Sequence, residues 1–397
     1  MQRIHFAWVL AAAALTPGSL LAATDPITTA SPAQAATATP SAPASPAEPA
    51  SPSAATNASV SPKSATPKLS DILEASGIAV SGYVAASYYH SSGDSTFHEL
   101  DIEHDSFQLD QAGATIAYQP KEGFGALVNL IAGEDARVVN SYEHGTNGEF
   151  NVLQAFVQYA RGALTVIGGK FLTLAGAETI NPTLNTNFSR SLLYFSEPIS
   201  HTGLRATYAI TDTLNAVVGI NNGWNTTSTS YGSKTGELGL AWTPGKTFSW
   251  TAQAYVGKDQ EYDALRTLFD TIATYNINSS LWVSLNYSHG EQDVRYTTGD
   301  YNWDVIAGYV NYAFNDRWRV SLRGELLADH DGFVTGTPQD VEEGTVTVGY
   351  SPMKKFELRL EGRYDTSNKP TFQGKSGDIA AFYDHQTGFA LQGVYKF

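Results

Sequence analysis

Arginine and glutamate alternate with apolar residues in two segments near the C-terminal end of the chain. Residues 317–326 read RWRVSLRGEL and residues 356–365 read FELRLEGRYD. Side chains two positions apart lie on the same face of a β-strand, so each segment predicts one charged and one apolar face. Guanidinium groups bind carboxylates and phosphates, and a row of them beside water attracts anions. With Arg205 from an earlier segment, the charged side chains that this pattern selects are Arg317, Arg319, Arg323, Arg359, Arg363, Glu357 and Glu361.

Histidine side chains can supply acid–base or metal chemistry, but their spacing in this sequence enforces no such site. None stands at the spacing of a two-histidine metal face, and no motif joins one to a serine and an aspartate. The sequence does not place the carboxylates of Glu178 and Glu197 together either. We therefore predict no catalytic residue, no metal and no cofactor. The histidines predicted to be exposed and polar are His90, His98, His104, His144, His201, His289, His330 and His385.

The composition of the 397 residues narrows the class of protein further. The absence of cysteine excludes a disulfide scaffold, a thiolate metal site and a cysteine nucleophile. A net charge of -15 argues against nucleic acid as a partner, because binding it requires a basic surface. No apolar run reaches the 18 residues of a membrane-spanning helix. The 35 glycines and 21 tyrosines instead indicate a β protein.

The N-terminal part of the chain predicts export and then a spacer. Residues 1–23 have the layout of a signal peptide, with Arg3, an apolar core over 6–15 and small residues at 21–23. Residues 24–68 consist mainly of alanine, proline, serine and threonine, which predicts a disordered, extended linker. We interpret this linker as an inert spacer, with contact to the cell wall as the alternative. Residues 69–397 are the predicted folded domain.

The folded domain shows a period of two rather than a helical period. Boundaries carry an error of a few residues. The predicted strands are 79–90, 105–119, 123–134, 149–160, 162–171, 201–211, 213–224, 236–244, 247–257, 265–276, 279–290, 302–314, 316–327, 341–351, 354–365 and 385–397.

The connections between these sixteen predicted strands alternate between short and long. Short turns such as 161–162, 211–212 and 315–316 follow the even strands, and longer polar segments follow the odd ones. A transmembrane β-barrel sorts its connections in this way, with short periplasmic turns and long outer loops. Sixteen strands enclose an interior too wide for side chains to fill. The sequence therefore predicts an all-β, antiparallel transmembrane barrel with a wet lumen.

Aromatic residues near the turn ends of the even strands predict a girdle at the lipid–water boundary. The prolines beyond the linker all fall in predicted turns or loops, as a closed barrel requires. These features indicate the outer membrane of a Gram-negative bacterium. The girdle residues are Tyr118, Tyr159, Tyr208, Trp242, Tyr275, Tyr312, Tyr350 and Phe397. A less complete outer ring is predicted from Tyr89, Trp224, Tyr255, Tyr287 and Tyr364.

The longest connection, residues 172–200, follows the fifth predicted strand. Loops of this length are usually functional. Its apolar stretch 192–195 needs a packing partner, which the barrel wall offers if the loop folds inward and narrows the lumen. The alternative is a lid outside the barrel or a loop that contacts another subunit. The polar residues assigned to the constriction are Glu178, Asn181, Asn185, Arg190 and Glu197.

Four segments near this loop carry a family resemblance. GGKF at 168–171, AGAE at 175–178, NFSRSLLYFSEPISHTGLRATY at 187–208 and NNGW at 221–224 resemble the OmpL-like outer-membrane β-barrel porins. The resemblance is strongest over 168–224 and agrees with the layout of 70–397, whereas the linker departs from it. It implies passive diffusion of small hydrophilic solutes and ions, a constriction formed by the third loop, and a homotrimer.

The function predicted from the sequence is therefore a porin, and two other functions stay open. An outer-membrane hydrolase or lipid-modifying enzyme would use loop histidines, and a membrane–cell-wall tether would use residues 24–68. We expect membrane lipid and lipopolysaccharide as surroundings. The acids of the first long loop predict solvation, with divalent cation bridges to lipopolysaccharide as the alternative; they are Asp94, Glu99, Asp101, Glu103 and Asp105.

Charge selectivity follows from two opposing groups of side chains. The lumenal arginines predict a positive ladder along one wall, which nearby glutamates neutralise in part. The acidic outer loops oppose this ladder at the mouth. We expect a weak preference for anions, and the alternative is that the arginines pair with glutamates and the pore prefers cations.

Overall fold

The computed structural model describes residues 73, 75–229, 232–259, 264–294, 300–375 and 381–397. The predicted signal peptide and linker lie outside these described residues. The described chain forms a closed antiparallel barrel of sixteen strands, which confirms the predicted fold class. The first and last barrel strands close it, in a register that runs from Tyr83 opposite Lys396 to Ser91 opposite Gly388.

Each observed barrel strand lies within a few residues of a predicted one. The barrel strands are β1 Ala79–Ser91, β2 Ser106–Tyr118, β3 Gly123–Ala132, β4 Phe150–Arg161, β5 Leu164–Leu172, β6 Ser200–Thr211, β7 Leu214–Asn221, β8 Thr235–Trp242, β9 Phe248–Asp259, β10 Ala264–Asn276, β11 Leu281–Gln292, β12 Tyr301–Ala313, β13 Trp318–Asp329, β14 Gln339–Met353, β15 Phe356–Ser367 and β18 His385–Lys396. A separate two-stranded ribbon pairs β16 Phe372–Gln373 with β17 Phe382–Tyr383 in the last outer loop.

In the described parts of the outer loops there are two helices, and the longer one was not predicted. Helix α1, Glu134–His144, lies between β3 and β4, and its Val138 and Val139 are buried. Helix α2, Leu192–Phe195, is a single turn. The signals of α1 are acids in its first turn and Gly145 at its C-cap with a φ of 61°, a conformation that glycine adopts without strain. In the described part of the chain, no helix is long and apolar enough to cross a membrane.

The two faces of the barrel follow the predicted alternation. On β13, Leu322 and Leu326 point outward and are 42% and 41% exposed, whereas Arg323 and Glu325 point inward and are buried. The outward face therefore offers apolar side chains to lipid. In the predicted girdle, Tyr118, Tyr159, Tyr208, Trp242, Tyr312 and Phe397 are exposed, and Tyr275 and Tyr350 are half-buried.

The predicted outer aromatic ring is wrong for three of its members. Tyr89 and Tyr255 are buried because they share the inward parity of Ser87 and Gln253 on their strands. Trp224 lies after β7 and packs against an internal apolar cluster. Tyr287 and Tyr364 do point outward, as predicted.

The lumen is less uniformly polar than predicted. An apolar cluster fills part of its outer half and includes Leu193, Trp303, Leu327 and Phe372. Trp303 stacks on Phe333 with ring centroids 4.8 Å apart. This cluster supplies the partner that the apolar stretch of the longest loop needs, so the hydrophobic effect holds that loop inside the barrel.

Candidate functional site

The third loop, residues 173–199, folds into the lumen rather than lying outside the barrel. Its two ends meet where the amide of Thr173 donates to the carbonyl of Ile199 at 3.1 Å. Leu192 and Leu193 are fully buried against the lumenal apolar cluster. The inward fold was the predicted one, and the alternative of an outside lid or a subunit-contact loop does not describe this structure.

One side of the loop's entry segment is bound by β9, β10 and β11. The amide of Leu174 donates to the Tyr255 hydroxyl at 2.9 Å. The amide of Gly176 donates to Asp270 Oδ1 at 3.3 Å, and the amide of Ala177 to Asn286 Oδ1 at 2.7 Å. These wall residues were missed by the sequence analysis. The available signal was one polar side chain at an inward position of a largely apolar strand, as at Asp270.

Arg323 on β13 connects the loop to the opposite wall. Its Nη1 donates to Glu178 Oε1 at 2.8 Å and to the Ser189 carbonyl at 3.0 Å. Its Nε lies 3.0 Å from Glu325 Oε1 and 3.2 Å from Glu343 Oε2. The side chain is fully buried. One guanidinium group thus contacts three carboxylates and fixes the predicted constriction residue Glu178.

Arg319 and Arg359 bind the loop closer to the short turns of the barrel than Arg323 does. Arg359 Nη2 donates to the carbonyl of Asn185 at 2.9 Å, and Arg319 Nη1 to the carbonyl of Thr186 at 2.7 Å. Glu357 lies between them and accepts from Arg319 Nε at 2.7 Å and from Arg359 Nε at 2.8 Å. The glutamate positions both guanidinium groups so that their remaining donors reach the carbonyl groups of the loop.

Arg363 and Glu361 of β15 complete this anchored wall. Arg363 Nη1 donates to the carbonyl of Arg190 at 2.7 Å, and its Nε donates to Asp365 at 2.9 Å. Glu361 accepts the amides of residues 188 and 189 at 2.6 and 2.9 Å. Charged side chains from two strands therefore bind consecutive peptide groups of the loop.

The loop is also organised by its own polar side chains. Arg190 donates to the carbonyls of Thr179 at 2.9 Å and Ile180 at 3.0 Å. Asn185 Oδ1 accepts the amide of Thr179, and Asn181 Oδ1 accepts the amide of residue 183, each at 2.9 Å. These side chains replace the backbone partners that a strand or helix would provide.

Glu197 lies near the return of the loop to the wall. Burial and the neighbouring Asp270 carboxylate raise the pKa of Glu197 well above its usual range. Both effects favour the neutral form of this carboxyl group. The assignment of Glu197 to the constriction stays a prediction.

The predicted arginine ladder exists as a row of buried side chains. Arg205, Arg323, Arg359 and Arg363 are each at most 4% exposed. Wall carboxylates and loop carbonyl groups accept most of their hydrogen bonds, and pairing with glutamates was the alternative given above. Arg205 Nη1 has no partner. Arg317 lies exposed in the turn before β13 and does not belong to the row.

Two histidines differ from the prediction of exposed side chains. His201 is buried and stacks on Tyr255 with centroids 4.8 Å apart. His98, in the first loop, is buried between Asp101 and Asp365, with its Nε2 3.3 Å from Asp365. Among the described residues, no group of three or more histidine, aspartate or glutamate side chains is arranged to hold a metal. Two acids of the first loop, Glu99 and Asp101, are buried too.

We expect the stability of the barrel in detergent micelles to fall between about pH 6 and about pH 9. Burial and Arg363 oppose the charged form of His98, but Asp101 and Asp365 raise its pKa above the usual value. A raised pKa gives stabilisation that is complete below about 6.5 and is lost as pH rises through the folded value. Burial also raises the pKa of Glu99 to about 8, which acts in the same direction.

The measurement is the thermal unfolding midpoint as a function of pH. In His98→Gln, the unfolding midpoint is expected to fall less steeply with pH, and the remaining fall is the part caused by Glu99. His385→Gln is the matched control, because His385 lies at the surface beside Asp384. An unchanged slope in His98→Gln would show that this histidine does not carry the effect.

Comparisons with known proteins agree with this architecture. A family model described as "putative beta-barrel porin-2, OmpL-like" matches residues 77–397. Among curated proteins, no significant match was found. The fold is similar to OmpT of Vibrio cholerae, with a TM-score of 0.56, 14% identity, and coverage of 81% of this chain and 97% of that one.

Two further solved structures share the fold at low identity. An anion-selective porin from Comamonas acidovorans has a TM-score of 0.56, 11% identity, and coverage of 81% of this chain and 99% of that one. The outer membrane channel DcaP of Acinetobacter baumannii has a TM-score of 0.53, 14% identity, and coverage of 81% and 97%. At such identities the likeness establishes the fold alone.

Proposed function

The chain belongs to the OmpL-like β-barrel porin-2 family of outer-membrane proteins, and on that basis we propose that it is a passive diffusion channel. The observation that carries the proposal is the third loop bound across the lumen of a closed sixteen-stranded barrel. The lipid-facing apolar surface places the barrel in the membrane, and the loop restricts passage to small hydrophilic solutes and ions.

Three finer features belong to the same proposal. The first 23 residues direct export, and residues 24–68 form a periplasmic spacer before the barrel. A trimeric form of Vibrio cholerae OmpT is known from its structure, and we propose a homotrimer here by analogy. Outer-membrane lipid and lipopolysaccharide surround the barrel. The chain acts as a channel rather than as an enzyme.

The test is conductance of the purified, folded protein in a planar bilayer. We expect discrete conductance steps in simple salt, together with swelling of liposomes in small sugars but not in larger oligosaccharides. The steps should be small for a sixteen-stranded barrel, because the loop occupies much of the lumen. A folded barrel that gives neither steps nor swelling would rule out a diffusion channel.

A further inference from the structure

The third loop is bonded to one side of the lumen far more than to the other. On β13 and β15, four arginines donate to its peptide groups. Within the described part of the chain, β7 and β8 make no hydrogen bond to residues 173–199. The arginines of β13 and β15 therefore anchor the loop along its length. On the β6–β9 side, β9 binds it only at its entry, where Tyr255 and Gln253 contact Thr173 and Leu174.

A cavity of about 60 Å³ lies between the loop and β6–β9. Wall positions without bulky side chains, Gly239 and Ala241, leave this space open. Thr207 and Asn215 on the same wall stay half-buried, whereas Ser321 on the anchored wall is fully buried. The turn ends of β6 and β7 are therefore more accessible to water than position 321 of the anchored wall.

One row of wall residues limits this cavity toward the outer loops. The register places Arg205 of β6, Gly219 of β7, Glu237 of β8 and Tyr255 of β9 side by side. A side chain at position 219 would meet Glu237, since a Cβ there would lie 2.6 Å from Oε2. The glycine lets Glu237 reach across β7, where its Oε1 lies 2.7 Å from Arg205 Nη2. Tyr255 donates its hydroxyl to the same carboxylate at 3.1 Å.

Arg205 is held rigidly but keeps one free donor. Its Nε donates to Glu237 Oε2 at 3.0 Å, and its Nη2 donates to the Leu172 carbonyl at 3.1 Å. The guanidinium carbon lies 4.2 Å from the centre of the Phe171 ring. Nη1 has no hydrogen-bond partner, although the side chain is buried and lines the cavity. A buried donor that has no protein partner fits an oxygen atom of water or of a solute.

We infer that solutes pass along the β6–β9 side of the lumen, and that the Arg205–Glu237 pair determines which of them pass. This inference rests on the proposed channel function and assigns its pathway. Because the charges of the pair compensate each other, the row favours small neutral polar solutes and discriminates weakly between anions and cations. The arginines of β13 and β15 position the loop and do not contact the solute.

Single cysteines can locate the pathway, because the natural chain contains none. Asn215→Cys tests the β6–β9 wall, and Ser321→Cys, near the turn end of β13, is the matched control on the anchored wall. A charged methanethiosulfonate reagent added to open channels should modify Asn215→Cys and reduce its conductance by roughly twofold. Ser321→Cys should be unaffected.

The outcomes distinguish a failure of the proposed pathway from a failure of the proposed channel function. If the unmodified protein conducts and only Ser321→Cys reacts, the pathway lies on the other wall and the inference is wrong. The same holds if Asn215→Cys fails to react in a conducting channel. If the unmodified protein does not conduct, the channel function fails instead.

The charge pair has its own readout in the reversal potential across a salt gradient. Arg205→Gln leaves Glu237 unpaired and should shift selectivity toward cations, whereas Glu237→Gln should shift it toward anions. Unchanged reversal potentials in both folded variants would overturn the role of the pair. If either variant fails to fold, Asn215→Cys provides the second test. Cationic and anionic reagents attached there must shift the reversal potential in opposite directions. Equal shifts would overturn the role of the charge pair.

Discussion

Replacing Arg323 with methionine is expected to lower the free energy of unfolding by about 3–5 kcal/mol. The change removes the only guanidinium group that contacts Glu178, Glu325 and Glu343 together among the described residues. All three carboxylates are buried, so losing their shared partner leaves uncompensated charge in a low-dielectric site. The measurement is the urea unfolding midpoint in detergent micelles at neutral pH.

The matched control for this variant is Arg317→Met in the same part of the chain. Arg317 lies exposed in the turn before β13, so its removal should change the unfolding free energy by less than about 0.5 kcal/mol. Equal effects of the two substitutions would show that the carboxylates around Arg323 find other partners. Lowering the pH should rescue Arg323→Met, because protonated glutamates need no cation.

The contacts around Arg323 illustrate which features could be predicted from the sequence and which could not. The alternation of Leu322 with Arg323 is local and follows from the period of a strand, so barrel faces and strand bounds were predictable. The inward fold of the third loop was predictable from its apolar stretch at 192–195, since those side chains require burial. The partners of that loop were not.

Contacts across the lumen depend on which strands face each other, and short-range patterns carry no such information. Glu178 and Arg323 are 145 positions apart, and His98 and Asp365 are 267 apart. The strand period therefore placed Arg323 on the inner face. It predicted a side chain that borders water, whereas the third loop covers it. Helix α1 was missed for a different reason, because its signals occupy only a few positions within a long loop.

Excising residues 176–197 and joining the ends with a short glycine–serine linker is expected to raise single-channel conductance severalfold. These residues cross the lumen, and an unobstructed sixteen-stranded barrel encloses a wide aqueous channel. The ladder between β5 and β6 runs from Leu164 opposite Tyr208 to Leu172 opposite Ser200 and does not involve the excised segment. The barrel should therefore still fold, which circular dichroism and heat-modifiable migration on gels can verify.

The excision also decides whether the anchored arginines can act on ions. Once the loop is absent, Arg319, Arg323, Arg359 and Arg363 meet water, but Glu357 and Asp365 remain beside them. Because carboxylates flank each guanidinium group, we expect the reversal potential in a salt gradient to change little while conductance rises. A strong anion preference would instead support the positive arginine ladder that the sequence predicts. An unchanged conductance in a folded barrel would show that the third loop is not the constriction, since every contact described for it would then lie outside the pathway.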